Sequence, residues 1–294
     1  RARAGGRGAW GAGGGSRPKP AGAEGLAALG ERAGASTGGG TYAPPAPGNS
    51  ASWAGQHVLI VGSGHSAMTA VIELAEVARQ HTATRVTWAL RRGTIGDTFG
   101  GGESDALPQR GALGIRAHAA VDAGLVQMVT GFRTERIAVE SGRATLIAED
   151  RRALSPADHV VVLTGFRPDL SFLSELRLEL DPVLQAPLKL APEIDPNMHS
   201  CGSVPPHGAA ELAHPEEPGL FLVGMKSYGR APTFLALTGY EQVRSVAAEL
   251  AGDHDSARRV ELVLPETGVC TGAGLPDAPA ESNQGGCCGS TSAD

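Results

Sequence analysis

His57-Val-Leu-Ile-Val-Gly62-Ser-Gly64-His-Ser-Ala67 is the stretch that decides the fold of this 294-residue chain. Its apolar, β-branched start predicts a buried strand, and apolar residues at helical spacing follow Ala67. Between them, Gly62-x-Gly64-x-x-Ala67 is typical of a turn that binds a dinucleotide: Gly62 allows a tight turn, Gly64 lets the backbone approach a pyrophosphate, and Ala67 lets the helix pack closely. The predicted fold is a three-layer α/β, Rossmann-type domain whose helix N-terminus faces phosphates. The alternative is the same turn without a ligand.

Two adjacent arginines end the next predicted strand, Arg85-Val-Thr-Trp-Ala-Leu-Arg91-Arg92-Gly93. No acid stands where NAD-selective folds hold the ribose hydroxyls. Guanidinium groups bind phosphate in a bidentate fork, so the pair predicts a site for the 2′-phosphate of NADPH. Paired arginines before a glycine are also common as solvated loop residues, and this alternative stays open. The candidate cofactor-binding residues to this point are Gly62, Ser63, Gly64, His65, Ser66, Ala67, Arg91 and Arg92.

Composition narrows the class of protein. The formal net charge of −6 argues against nucleic acid as the main partner, and no apolar run reaches the ~18 residues of a membrane span. No secretory signal is evident, and the four cysteines do not form the framework of a disulfide-stapled domain. We therefore expect a cytoplasmic protein without nucleic acid or membrane as a partner. A homodimer is left open.

The chain divides into four parts. Residues 1–50 are rich in Gly, Ala, Pro and Ser and predict a flexible linker or remnant, residues 51–150 an NADPH-binding domain, residues 151–255 a second unit, and residues 256–294 a flexible tail. Because the sequence begins with Arg rather than Met, we expect a larger reading frame or a processed chain. We predict strands over 57–61, 126–130, 136–139, 144–148, 158–163, 219–224 and 260–264, and helices over 67–78, 109–123 and 234–250.

These pieces resemble flavoproteins with two dinucleotide-binding domains, the group that holds thioredoxin reductases and flavin-dependent monooxygenases. In that group an NADPH domain is inserted between two halves of an FAD domain, and residues 151–255 resemble the second half. The more specific resemblance is to bacterial flavoproteins of arsenic-resistance operons. It rests on His199-Ser-Cys-Gly, Val204-Pro-Pro-His-Gly208, Lys226-Ser-Tyr-Gly-Arg-Ala-Pro-Thr-Phe-Leu235, Gly239-Tyr-Glu-Gln-Val-Arg-Ser245 and Leu264-Pro-Glu-Thr-Gly-Val-Cys270.

The resemblance implies further cofactor-binding residues. Thr164-Gly165 matches the Thr-Gly crossover motif of the family, and Gly224-Met225 stands where many relatives have Gly-Asp on the flavin's ribityl or phosphate groups. The start of the helix over 234–250 would lie near the flavin ring, with Lys226 and Arg230 adding positive charge, unless these two belong to a solvated basic loop. The residues so assigned are Thr164, Gly165, Gly224, Met225, Lys226 and Thr233.

The cysteines bear on the type of reaction. Cys201, Cys270, Cys287 and Cys288 include no Cys-x-x-Cys pair, the redox centre that a thioredoxin reductase needs, so a plain disulfide reductase is disfavoured. The adjacent Cys287 and Cys288 suit the capture of a soft thiophilic ion such as arsenite or mercury, because soft thiolates select soft metals, and Cys270 is a candidate third ligand. Adjacent cysteines in a mobile tail can also be incidental.

The resemblance implies an NADPH-dependent FAD oxidoreductase of the flavin monooxygenase or pyridine nucleotide-disulfide oxidoreductase class, with arsenic or thiophilic-metal detoxification as a possible setting. Its substrate would be a small molecule or metalloid. One alternative is a reductase that passes electrons from NADPH through the tail cysteines to a protein or metal substrate. Another is a non-catalytic nucleotide- or metal-binding module. We expect the first FAD half of the family to be missing from this sequence. If these 294 residues are the whole molecule, FAD binding should be weak or lost.

Overall fold

The structure is a computed structural model that describes residues 16–22, 27–31, 50–93, 98–105, 108–195, 198–199 and 204–262. The strands are β1 (Ser16–Pro18), β2 (His57–Val61), β3 (Arg85–Ala89), β4 (Gln127–Val129), β5 (Thr134–Glu140), β6 (Arg143–Ala148), β7 (His159–Val162) and β8 (Phe166–Pro168). The helices are α1 (His65–Gln80), α2 (Pro108–Asp122), α3 (Ala191–Ile194), α4 (Ala209–Leu212), α5 (Ala236–Leu250) and α6 (His254–Arg258).

A four-stranded parallel sheet forms the centre of the fold, in the order β4-β3-β2-β7. All five residues of β2 are buried, and Val58 pairs with Val86 on one side and with His159 on the other. Parallel neighbours require a crossover connection, and α1 makes it between β2 and β3. The sheet confirms the predicted α/β, Rossmann-type fold. Its strand order reverses at β2, and ligands of such sheets bind at that point, outside the carboxyl ends of the strands.

The sheet is the middle of three layers because alternate residues of a strand point to opposite faces. On one face, Val58 and Ile60 belong to the apolar cluster that includes α1 and α2. On the other face, Leu59 and Val61 pack with residues of β5 and β6. The helix predicted over 109–123 is confirmed as α2, and its Gly114 lies so close to the Phe99 carbonyl that a Cβ would clash.

An antiparallel hairpin of β5 and β6 forms the layer that covers this second face of the sheet. Its turn places Ser141 and Gly142 at φ 51° and 78°, the left-handed conformation that the tightest hairpin turns require. The strands predicted over 136–139 and 144–148 are confirmed, and both extend slightly further than predicted. The strand predicted over 126–130 is confirmed as β4.

The C-terminal part has its own apolar cluster, which includes Leu190, Leu212, Tyr228 and Val246. The long helix predicted over 234–250 is confirmed as α5, beginning at Ala236. The strand predicted over 219–224 is wrong. Among the described residues its apolar side chains find no partner strand, and only Phe221 forms a bridge, to Ala213. Of the strand predicted over 260–264, the described residues 260–262 have no regular structure, and the rest lies outside the described residues.

Two pieces of the predicted linker have regular contacts with the sheet unit. β1 pairs antiparallel with β8, and Leu29 bridges to Arg136 of β5. β7 completes the sheet of residues 57–129, so the predicted boundary between residues 150 and 151 falls just before its last strand; the division into domains stays a prediction. No helix in the described ranges is both long and apolar enough to cross a bilayer.

Candidate dinucleotide-binding site

The turn after β2 depends on glycine at position 62. Gly62 has a φ of 132°, in the left-handed region that side chains disfavour, and a Cβ there would clash with the carbonyl oxygen of Leu163. The Gly62 carbonyl accepts a 2.7 Å hydrogen bond from Trp88 Nε1, and its N–H donates to the Ala89 carbonyl at 3.3 Å. The turn is therefore hydrogen-bonded to β3, and it packs closely against Leu163, which follows β7.

Gly64 is the N-cap of the 16-residue helix α1, with extended backbone angles and no side-chain cap. A Cβ at this position would meet no atom within 4 Å, so the space in front of the turn is open. The Gly64 carbonyl accepts hydrogen bonds from Ala67 and Met68, whereas the N–H groups of residues 63–66 have no partner within the described ranges. Free N–H groups and the positive end of a long helix dipole suit an anion.

A buried ion pair lies beside the turn. His65, the first residue of α1, has a pKa below its usual 6.5 because of burial and the nearby charge of Arg110. Arg110 donates to the carboxylate of Asp105 at 2.7 Å, and that carboxylate is fully buried. This buried ion pair fixes the loop over 98–105 beside the turn. Neither Arg110 nor Asp105 could be assigned from the sequence, since neither belongs to the glycine motif.

The predicted 2′-phosphate residues follow β3 directly and are exposed. The backbone places them at the same edge as the turn, since Ala89 pairs with Val61 and the Arg92 carbonyl accepts from Gly131 N–H at 2.8 Å. The charge of Arg91 acts on two other basic residues, because it contributes to the lowered pKa values of Lys19 and Arg230.

Thr164 and Gly165 hold the segment that contains β1. The Thr164 hydroxyl donates to the Lys19 carbonyl at 2.7 Å and to the Pro20 carbonyl at 3.1 Å. The Gly165 carbonyl accepts from Lys19 N–H at 2.8 Å. The polar groups of this motif are thus used within the chain, and its predicted role in cofactor binding stays a prediction.

The candidate residues of the C-terminal part have mixed surroundings. Met225 is 62% exposed, and Lys226 is half-buried. Thr233 is buried and its hydroxyl donates to the Ile194 carbonyl at 3.3 Å. The N-cap of α5, Leu235, supplies no side-chain cap, so this 15-residue helix also begins with an uncapped N-terminus.

A buried network centred on Gln242 positions these residues. Gln242 is fully buried; its Oε1 accepts from Gly224 N–H at 2.7 Å, and its Nε2 lies 2.9 Å from both His207 Nε2 and Ser227 Oγ. His207 Nδ1 lies 3.0 Å from the Pro205 carbonyl, a pattern that assigns the ring proton to Nδ1. Burial lowers the pKa of His207. No sequence signal pointed to Gln242.

The predicted metal ligands Cys270, Cys287 and Cys288 lie outside the described residues, as does Cys201. Within the described ranges, no three His, Asp or Glu side chains converge on a point that could hold a metal.

No protein-family model matches the sequence, and no curated protein matches it significantly. Among solved structures, the fold is similar to flavoprotein disulfide reductase RclA from Escherichia coli (15% identity, TM-score 0.42, 67% of this chain and 37% of that one). It is also similar to bacillithiol disulfide reductase Bdr from Staphylococcus aureus (16% identity, TM-score 0.47, 68% of this chain and 52% of that one). A third similar structure is T. acidophilum thioredoxin reductase (13% identity, TM-score 0.43, 79% of this chain and 59% of that one). The chain spans 37% to 59% of the length of these three proteins.

Proposed function

We propose that the chain binds NADPH across the carboxyl edge of its parallel sheet. The observation that supports this most directly is the turn over residues 62–67, where an uncapped helix N-terminus with free N–H groups opens onto clear space at Gly64. The pyrophosphate would accept hydrogen bonds from these N–H groups. The adenosine would extend towards the end of β3, where Arg92 and Arg91 would bind its 2′-phosphate.

The second part of the proposal is that NADPH reduces a bound FAD. This rests on the sequence resemblance of residues 151–255, and Gly224, Met225, Lys226, Thr164, Gly165 and Thr233 are the residues that it assigns. The structure offers two features that fit an anionic group: the uncapped N-terminus of α5 and the half-buried Lys226. Gly224 N–H already donates to Gln242, so it is occupied within the chain. When bound, FAD would accept hydride from NADPH.

The reaction class is proposed as an oxidoreduction, with two candidate outcomes. The first is a flavin monooxygenase linked to arsenic or thiophilic-metal detoxification, which rests on the resemblance of residues 226–245. The second is a reductase that passes electrons through cysteines to a protein or metal substrate. Oxygen consumption coupled to NADPH oxidation supports the first, and undiminished anaerobic turnover that is lost when Cys287 and Cys288 become Ser supports the second.

Calorimetric titration with NADPH and with NADH tests the binding proposal. Contacts between a charged group and phosphate contribute about 1.5–3 kcal/mol, so we expect NADPH to bind roughly ten- to a hundredfold more tightly than NADH. The Arg91→Ala, Arg92→Ala double variant should lose the preference, whereas Arg116→Ala, an exposed arginine on α2, should keep it. Equal affinities for the two nucleotides in the unmodified chain would contradict the 2′-phosphate assignment.

A further inference from the structure

Four cationic residues from separate segments lie within electrostatic reach of one another near the carboxyl end of β7. Lys19 follows β1, Arg167 lies in β8, Arg91 follows β3, and Arg230 follows the 3₁₀ turn over residues 224–228. Lys19 Nζ donates to the Arg230 carbonyl at 3.0 Å. It also lies 3.6 Å from the position that a Cβ on Gly165 would occupy. These contacts join the sheet unit to the C-terminal part at a point where positive charge accumulates.

The backbone around Lys19 holds its side chain in this position. Thr164 donates to the Lys19 carbonyl, and Lys19 N–H donates to Gly165 on the other side. The residue is therefore fixed to the end of β7 by both of its backbone polar groups, and its amino group by a third hydrogen bond. The amino group of a surface lysine usually extends into water, whereas that of Lys19 is held against the protein.

The charges near Lys19 are of one sign. Its pKa falls from 10.5 to about 8, first because of burial and then because of Arg230, Arg91 and Arg167. The pKa of Arg230 is lowered by burial and by Arg167 and Arg91. No acid within the described ranges offsets either shift. Like charges gathered in a partly buried place repel one another, and a bound anion would remove that repulsion.

The side chain of Arg167 has no hydrogen bond or ion pair within the described ranges. Its five donors are therefore not used within the described ranges, and its positive charge acts on Lys19. A guanidinium fork beside a compact ammonium group is a combination well suited to a tetrahedral oxyanion, because the fork binds two oxygens and the ammonium contributes a point charge.

We propose that Lys19, Arg167 and Arg230 form a binding site for a phosphate-type oxyanion, with Arg91 at its border. The site goes beyond the proposed dinucleotide turn, because none of its three residues belongs to the Gly62–Ala67 motif and its formation does not require a nucleotide there. Two sources supply this ligand chemistry. One is the phosphate groups of a dinucleotide that crosses the edge of the sheet, and the other is a free oxyanion.

Lysine-selective ¹³C labelling and NMR test the site directly, because the chain contains only three lysines, at positions 19, 189 and 226. The probe is inorganic pyrophosphate at millimolar concentration. We expect it to move the titration midpoint of Lys19 from about 8 towards the ordinary 10.5. The signal of Lys189, an exposed residue, should not respond to pyrophosphate. A Lys19 midpoint that stays at about 8 with the probe present would overturn the proposal.

Variants separate the site from general charge attraction. Arg167→Met should weaken pyrophosphate binding on the order of tenfold without loss of fold, since its side chain makes no described hydrogen bond. Arg230→Met should weaken it similarly, and the control Arg116→Met should leave it unchanged. If all three variants bound pyrophosphate as tightly as the unmodified chain, the proposal would be overturned.

Competition identifies the source of the anion. If NADP⁺ displaces pyrophosphate, the site holds phosphates of the dinucleotide; if both bind together, it holds a separate oxyanion, and either result supports the site. A chain that binds pyrophosphate at Lys19 but shows no preference for NADPH would contradict the proposed function alone. A chain that prefers NADPH but whose Lys19 titration ignores both ligands would contradict the oxyanion site alone.

Discussion

Replacing Gln242 with leucine should destabilise the C-terminal part of the chain, because this side chain satisfies several buried polar groups at once. Leucine has a similar volume, so the change creates little cavity. It removes the acceptor of Gly224 N–H and the donor to His207 Nε2. Ser227 keeps its hydrogen bond to the Gly224 carbonyl at 2.8 Å. Two buried groups are therefore left without partners.

The size of the effect follows from that count. A buried polar group left unsatisfied costs about 1–3 kcal/mol, so two of them predict a loss of about 2–6 kcal/mol in the free energy of unfolding. The apolar gain from leucine lowers both ends of this range, and about 1–4 kcal/mol is the expected result. This is a large part of the 5–15 kcal/mol that is typical of a folded domain, where ~1 kcal/mol is the usual effect of a mutation.

Equilibrium unfolding in urea, followed by circular dichroism, measures this change. The matched control is Gln80→Leu, since Gln80 is exposed and makes a single side-chain hydrogen bond, to Glu76. The control should change stability by less than about 0.5 kcal/mol. If Gln242→Leu cost no more than the control, the network would not hold the segment over 224–228 and our account of that segment would be wrong.

Three further perturbations have defined outcomes. Gly62→Ala should cost more than about 1 kcal/mol in urea unfolding, because its φ is positive and a Cβ would clash with the Leu163 carbonyl; an unchanged midpoint would contradict the geometry of the turn. Burial lowers the pKa values of His57 and His207, so the unfolded chain binds more protons below pH 6.5, and stability should fall as pH drops from 7 to 5 by up to about 1.4 kcal/mol per pH unit for each histidine. If the slope of stability against pH stayed the same after His57 and His207 were both changed to Gln, these two histidines would not be its cause. Thr164→Val should speed amide hydrogen exchange at residue 19 while leaving β2 protected, and equal exchange in both proteins would show that the hydroxyl does not hold that segment.

The sequence was sufficient for the parts of the fold that local patterns encode. The glycine turn, the buried strand before it and the hairpin at Ser141-Gly142 each carry their signal within about ten residues. The prediction of a strand over 219–224 was wrong because a strand requires a partner, and in the part of the chain that the structure describes only Phe221 has one. A buried apolar segment without a partner has the same composition as a strand.

The long-range features of the site could not be predicted in the same way. Thr164 lies 145 residues from the carbonyl of Lys19 that its hydroxyl binds, and His207 lies 35 residues from Gln242. No local pattern encodes such pairings, because they arise only when separate segments pack. The sequence also identified Arg91 and Arg92 as a pair, but no local pattern indicates that the charge of Arg91 would act on Lys19 and Arg230.

The most direct test of dinucleotide binding at the sheet edge is a comparison of NADPH affinity and stability in the Gly64→Ala variant. The added Cβ meets no protein atom within 4 Å, and a change at a helix N-cap from Gly to Ala should cost less than about 1 kcal/mol of stability. If the pyrophosphate approaches this backbone, calorimetry should show NADPH affinity falling on the order of tenfold or more while the urea midpoint hardly moves. Unchanged NADPH affinity in Gly64→Ala would contradict the central claim.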